Sequence, residues 1–127
     1  MKLDILAFGA HPDDVELGAG GILASHAANG LTTGIVDLTL GEMGTRGTPE
    51  IRLKEAKDAA EILGCAVREN LEMPDGQVDY SHKSQLTVAT MIRKYRPNVV
   101  LMNAPTDRHP DHGRASRLVE EACFLAG

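Results

Sequence analysis

The sequence predicts an α/β fold, a Rossmann-like doubly wound sheet of parallel strands, on three observations. Short apolar runs alternate with longer stretches of helical spacing. The apolar runs are nearly continuous, as in strands covered on both faces. Turn and cap residues punctuate the boundaries between them. With 127 residues, 43% of them hydrophobic, the chain is read as one domain over residues 1–127. It has no internal repeat and no linker long enough to divide it.

The first predicted strand covers residues 3–9, Leu-Asp-Ile-Leu-Ala-Phe-Gly, and a helix follows over about 19–29. The runs at 33–39 and 98–102 have the same apolar character. A helix over about 50–63 carries its own end signals: Thr48 caps it, Pro49 suits its first turn, Glu50 favours the positive end of its dipole, and Gly64 stops it. A weaker strand over about 66–72 runs into Met73-Pro74-Asp75-Gly76, where Pro sets one turn dihedral and Gly permits another. Helices over about 83–95 and 112–125 complete four βα units. Right-handed crossovers then give the strand order 3-2-1-4, in which strands 1 and 4 are neighbours and a ligand crevice opens at their carboxyl ends.

Composition excludes several function classes. Thirteen basic against eighteen acidic residues give a net charge of −5 with no basic run, which leaves nothing to hold a phosphate backbone, so nucleic acid is not an expected partner. No apolar stretch approaches the roughly 20 residues that cross a bilayer, and Met1-Lys2-Leu3-Asp4 opens no signal peptide. No membrane association and a cytoplasmic location are the expectation. Cys65 and Cys123, far apart and outside any Cys-x-x-Cys pairing, are expected as buried reduced thiols. Aromatic residues make up 3% and Trp is absent, which weakens any reading based on stacking flat ligands.

The chemistry concentrates in the segments that follow strands 1 and 4, Ala10-His11-Pro12-Asp13-Asp14-Val15-Glu16-Leu17-Gly18 and Asp107-Arg108-His109-Pro110-Asp111-His112. A catalytic zinc takes three ligands from His and carboxylate and leaves a position for water. Pro12 fixes a turn that lets His11 and Asp14 curl round one point, with Asp13 directed elsewhere, beside the open position, to take a proton from water. His109 and His112 are one turn apart; one of them completes the ligand set and the other stays free for catalysis. Any single Asp or His after a strand commonly just caps the next helix. Two such loops at adjacent strand ends point together to a metal site.

These two motifs, Ala10-His11-Pro12-Asp13-Asp14 and His109-Pro110-Asp111-His112, resemble the signatures of the zinc-dependent N-acetylglucosaminyl deacetylases, the family of the phosphatidylinositol-glycan and mycothiol enzymes. The resemblance covers the whole chain. Gly41-Glu42-Met43-Gly44-Thr45-Arg46-Gly47-Thr48 and Met73-Pro74-Asp75-Gly76 are most similar to the bacillithiol-type members. The resemblance implies one zinc, or another divalent ion, per chain on His11, Asp14 and His112, with Asp13 as the base. It implies His109 as a protonated partner for the oxyanion, held by Asp111. The implied reaction releases acetate and a free amine from an N-acetylglucosaminyl conjugate, with N-acetylglucosaminyl malate as the specific substrate, in a homo-oligomeric protein. Family members are longer, so the chain is read as truncated after the second motif.

Two further residues are candidates for substrate binding. Arg46, in the loop after strand 2, is placed to hold a carboxylate or hydroxyls, against the alternative of a solvated loop charge. Asp75 is placed to bond a sugar hydroxyl, against the alternative of a turn-forming Asp before Gly. Three rival readings remain: a nucleotide-binding module built on Gly18-Ala19-Gly20-Gly21, a two-metal hydrolase of the metallo-β-lactamase type, and a zinc-binding remnant without full activity.

Overall fold

Two strands are buried at every position, β1 (Ile5–Gly9), which is wholly apolar, and β2 (Thr33–Thr39), whose apolar residues are interrupted by the buried Thr33, Asp37 and Thr39, and they occupy the centre of the sheet. The computed structural model describes residues 1–44 and 47–127. β3 (Val67–Met73) flanks β2 and β4 (Val99–Leu101) flanks β1, so the sheet has the order β3-β2-β1-β4 with every pairing parallel. That is the predicted architecture. β4 departs from the expectation of a strand covered on both faces, since Val99 is 47% exposed at the sheet edge.

The helices alternate with the strands as α1 (Asp14–Ala28), α2 (Pro49–Leu63), α3 (His82–Tyr95) and α4 (Pro110–Ala126). Period-two alternation along β1 sends Leu6 and Phe8 into one core with Val36, Leu38, Leu118 and Val119, while Ile5 and Ala7 join Val15, Leu23 and Ile35 in the other. Each face of the sheet therefore has its own apolar layer. Gly34, in the central β2, marks a close approach: a Cβ there would lie 2.6 Å from Leu3 Cδ1 and 2.7 Å from Val67 Cγ2.

The α2 end signals are realised. Thr48 Oγ1 accepts the Ile51 N–H at 3.2 Å, Pro49 opens the helix, and Gly64 closes it at φ 75°. α1 differs, beginning at Asp14 rather than near residue 19. The turn after β1 is shorter than expected because Asp14 N–H already bonds to the His11 carbonyl at 3.1 Å and Leu17 N–H to that of Asp13 at 3.1 Å. Gly18, Gly20 and Gly21 consequently lie inside a helix. A glycine-rich phosphate loop ahead of a helix is not what they form. No helix of the described residues is long and apolar enough to cross a membrane. Both cysteines are free thiols and only partly buried, less so than expected.

β1 and β4 pair through Ile5–Val99, Leu6–Val100 and Ala7–Leu101, which brings the two motif loops out at one end of the sheet. α4 carries the second motif at its start and is held to the sheet by Leu118 and Val119, both fully buried. Leu118→Ala should lower stability by about 2–5 kcal/mol through lost burial and the cavity left behind. Denaturant titration reads this as a lower midpoint, and an unchanged midpoint would contradict the packing described.

Candidate functional site

Where β1 ends, the chain turns through residues 10–13 and is pinned at successive peptide groups. The Ala10 N–H donates to Asn103 Oδ1 at 3.0 Å, and the Ala10 carbonyl accepts from the Thr39 hydroxyl at 2.9 Å and the Thr39 N–H at 3.1 Å. The His11 N–H donates to Asp14 Oδ2 at 3.0 Å, and Arg68 Nη2 donates to the Pro12 carbonyl at 2.7 Å. β2, β3 and the segment after β4 thus all hold the first loop in place.

The same Asp14 Oδ2 faces the second loop. It lies 3.5 Å from His11 Nδ1 and 3.2 Å from His112 Nε2, and one ligand atom from each of the three residues lies within 4.8 Å of the others. A tetrahedral ion with bonds of about 2.0–2.1 Å has ligand-to-ligand edges of roughly 3.3–3.4 Å. Both distances from Asp14 Oδ2 match such an edge, and the residue types suit a divalent cation. His11, His109 and Asp111 form a second group of the same compactness. There, however, Asp111 Oδ2 already accepts the Gly76 N–H at 2.8 Å and Oδ1 the Val78 N–H at 3.3 Å, so both oxygens are also engaged with the backbone.

Each histidine of the first trio turns its other ring nitrogen to a carboxylate. His112 Nδ1 is 2.9 Å from Asp107 Oδ2, while His11 Nε2 is 2.9 Å from Asp75 Oδ1 and 3.1 Å from Asp111 Oδ2. Such partners fix the tautomer and orientation of a metal-binding imidazole. They also explain two differences from the sequence expectations. Asp75, expected on a sugar hydroxyl, is buried, with Oδ1 on His11 and Oδ2 accepting the Met43 N–H at 2.8 Å. Asp111, expected to hold His109, directs its carboxylate to His11 instead, because α4 begins with Pro110 and its next N–H needs a cap. That cap is His109, whose Nδ1 accepts the Asp111 N–H at 3.1 Å.

Asp13 occupies the N-cap position of α1, yet its side chain makes no capping hydrogen bond. It lines an open cleft of about 520 Å³ together with His11, Asp14, His109 and His112. His109 is exposed there, its ring 4.7 Å from that of His11 and stacked at 5.0 Å on that of His112. Arg46 lies outside the described residues. Several contributors escaped the sequence reading. Arg52 of α2 lines the cleft, and Asn103 ties Ala10 to Asp14 through a 3.3 Å contact from its Nδ2. Asn103 could have been noticed as the first polar residue after the fourth apolar run, and Arg68 as a lone cation inside a predicted strand.

Comparison with known proteins places this geometry. The family model PIG-L, described as GlcNAc-PI de-N-acetylase, matches residues 6–123. The chain belongs to the PIG-L family. A diacetylchitobiose deacetylase of Thermococcus kodakarensis is 36% identical, over 97% of this chain and 50% of that protein. A 4-oxalmesaconate hydratase of Pseudomonas putida is 31% identical, over 95% of this chain and 52% of that protein. The crystal structure of the conserved protein TT1542 from Thermus thermophilus superposes with a TM-score of 0.96 at 52% identity, covering 98% of this chain and 57% of that one. The chain spans about half the length of the curated relatives it matches.

In this PIG-L chain the charges of the site reinforce one another. Burial opposes a charge on His11, but the hydrogen bond and charge of Asp14, followed by Asp111 and Asp75, outweigh it and raise its pKa from 6.5 to about 9. Burial likewise opposes ionisation of Asp14, and His11 and His112 more than compensate, so its pKa is lowered. A raised His pKa contributes stability that is complete below about 6.5 and is lost as pH rises through about 9. A cation on His11 Nδ1 must displace that proton. Zinc affinity, measured by calorimetry against a competing chelator, should therefore rise roughly tenfold per pH unit from 7 towards 9 and then level off. Affinity independent of pH over that range would contradict the protonation described.

Proposed function

We propose that this chain carries the catalytic centre of a metal-dependent N-deacetylase acting on N-acetylglucosaminyl conjugates. The observation that carries the reading is Asp13: a carboxylate at a helix cap that caps nothing and opens into the cleft beside His11, Asp14 and His112. Those three residues would hold the ion, zinc by the chemistry of two imidazoles and one carboxylate. When bound there, the ion supplies Lewis acidity to the amide carbonyl and to an attacking water.

The protein groups then have separate tasks. Asp13 accepts the proton of the attacking water as the new C–O bond forms. His109, whose Nδ1 faces the Asp111 N–H, donates a hydrogen bond from Nε2 to the oxygen on which negative charge develops. Asp13 returns the proton to the departing nitrogen as the C–N bond breaks, leaving acetate and a free amine. Asp75 and Asp111 hold His11, Asp107 holds His112, and Arg52 lines the cleft wall. The finer reading of the substrate is an N-acetylglucosaminyl malate of the bacillithiol type, supported by the resemblance of residues 41–48 and 73–76 to that group. The hydratase relative favours a second reading, water addition to an unsaturated acid, with the same base and cation site.

Acetate release from N-acetylglucosaminyl malate and from N,N′-diacetylchitobiose, measured on the zinc-loaded chain, separates these readings. Asp13→Asn should keep zinc and lose about 10²–10⁴ in turnover; His109→Ala should keep zinc and lose about 10²–10³. Zinc binding without acetate from either compound would overturn the deacetylase assignment for this chain, and full activity in Asp13→Asn would remove its role as base.

A further inference from the structure

A lone arginine in an edge strand is normally a surface charge, with its head in water. Arg68 of β3 is not: its side chain is only 7% exposed. Its guanidinium reaches four groups on separate parts of the chain. Nε and Nη2 fork onto the Asp37 carboxylate of β2 at 2.8 and 3.0 Å, and Nη1 and Nη2 fork onto Glu16 of α1 at 3.0 and 3.1 Å. Nη1 also donates to the Ala56 carbonyl of α2 at 3.2 Å. The shortest of its contacts, 2.7 Å from Nη2, is to the carbonyl of Pro12.

That carbonyl belongs to the peptide joining Pro12 to Asp13, between the loop's first histidine and the carboxylate that opens into the cleft. Asp13 has φ −119° and ψ −9°, whereas a residue that caps a helix through its side chain normally has extended dihedrals. Fixing the Pro12 carbonyl fixes one side of this peptide plane. A cap-forming Asp would turn its carboxylate onto the N–H of Val15 or Glu16; here the turned backbone leaves that carboxylate free. A pair of carboxylates would be neutralised equally well by a cation that left Pro12 alone. Nη2, with two N–H bonds, shares them among Asp37, Glu16 and the Pro12 carbonyl, a division that the planar five-donor fork of an arginine makes and an ammonium does not.

We propose that Arg68 is a positioning residue that, through the Pro12 carbonyl, holds Asp13 away from its capping role and aimed at the cleft. The proposal rests on the reading of Asp13 as the base. It makes no claim on metal binding, because His11, Asp14 and His112 are held by other partners: Asn103, Asp75, Asp111 and Asp107.

The test uses the zinc-loaded chain with Arg68→Lys, which keeps the charge and loses the fork, and Arg68→Gly, which leaves a space for free guanidinium. Arg68→Lys should bind zinc within about threefold of the parent, keep KM within about threefold, and lose roughly 10- to 100-fold in kcat, the scale of a misplaced reacting group. Millimolar guanidinium should restore at least about fivefold of the kcat lost in Arg68→Gly, and methylammonium should not, because only guanidinium supplies the fork. The crystal structure of Arg68→Lys should show the Asp13 carboxylate turned onto the Val15 or Glu16 N–H. That readout needs no activity, so failure of the deacetylase reading stays distinguishable from failure of this proposal. Undiminished kcat in Arg68→Lys, a parallel loss of zinc and kcat, or Asp13 unmoved in the variant crystal would each overturn it. Should Arg68→Gly not fold, Arg68→Lys decides alone.

Discussion

Parallel pairing of β1 with β4 is the constraint from which the site follows. The register of Ile5 with Val99 and of Ala7 with Leu101 makes both strands end at one edge of the sheet, so loops about ninety residues apart in the chain leave side by side. α1 and α4 then start from that edge, and the first residue of α1, Asp14, meets the third of α4, His112, at 3.2 Å. The set of His11, Asp14 and His112 takes two members from the first loop and one from the second. The apolar layers on each face of the sheet anchor the two helix starts that bring Asp14 and His112 together.

A compact cluster of acidic groups and histidines is costly unless every member has a partner. Here nearly every polar atom is answered locally. The buried Asp111 accepts two backbone N–H groups, Asp75 accepts one and faces His11, and Asp107 takes His112. Asp13 is the exception in kind, exposed to the cleft with its capping role unused. Among the described residues of this network, Asp13 is the carboxylate left facing the cleft without a capping hydrogen bond. This asymmetry distinguishes the proposed base from its neighbours more clearly than its position in the motif does.

Much of this was legible in the sequence. Strand order followed from the alternation of elements and the handedness of crossovers, and Thr48, Pro49 and Gly64 marked the ends of α2 because capping is a local property. That His11 and Asp14 would meet a histidine of the second loop was likewise readable from two loops at adjacent strand ends, while the choice of His112 over His109 came from the family resemblance. Long-range partners were not. Asp75 could be seen as a turn residue but not as the support of His11, which lies sixty-four positions away. Asp111, expected to hold His109, faces His11 in the structure: Pro110 opens α4, and His109 turns its Nδ1 to the next N–H. The start of α1 was placed too late because three glycines look unlike a helix, and hydrogen bonds from the preceding turn override that weak propensity.

Anomalous diffraction at the zinc edge, from crystals of this chain soaked in zinc, tests the account at its centre. The account predicts one strong peak about 2.0–2.2 Å from His11 Nδ1, Asp14 Oδ2 and His112 Nε2, with the Asp13 carboxylate beside it and unligated. A peak held instead by His109 and Asp111, or no ordered peak at all, would contradict the site and the chemistry built on it.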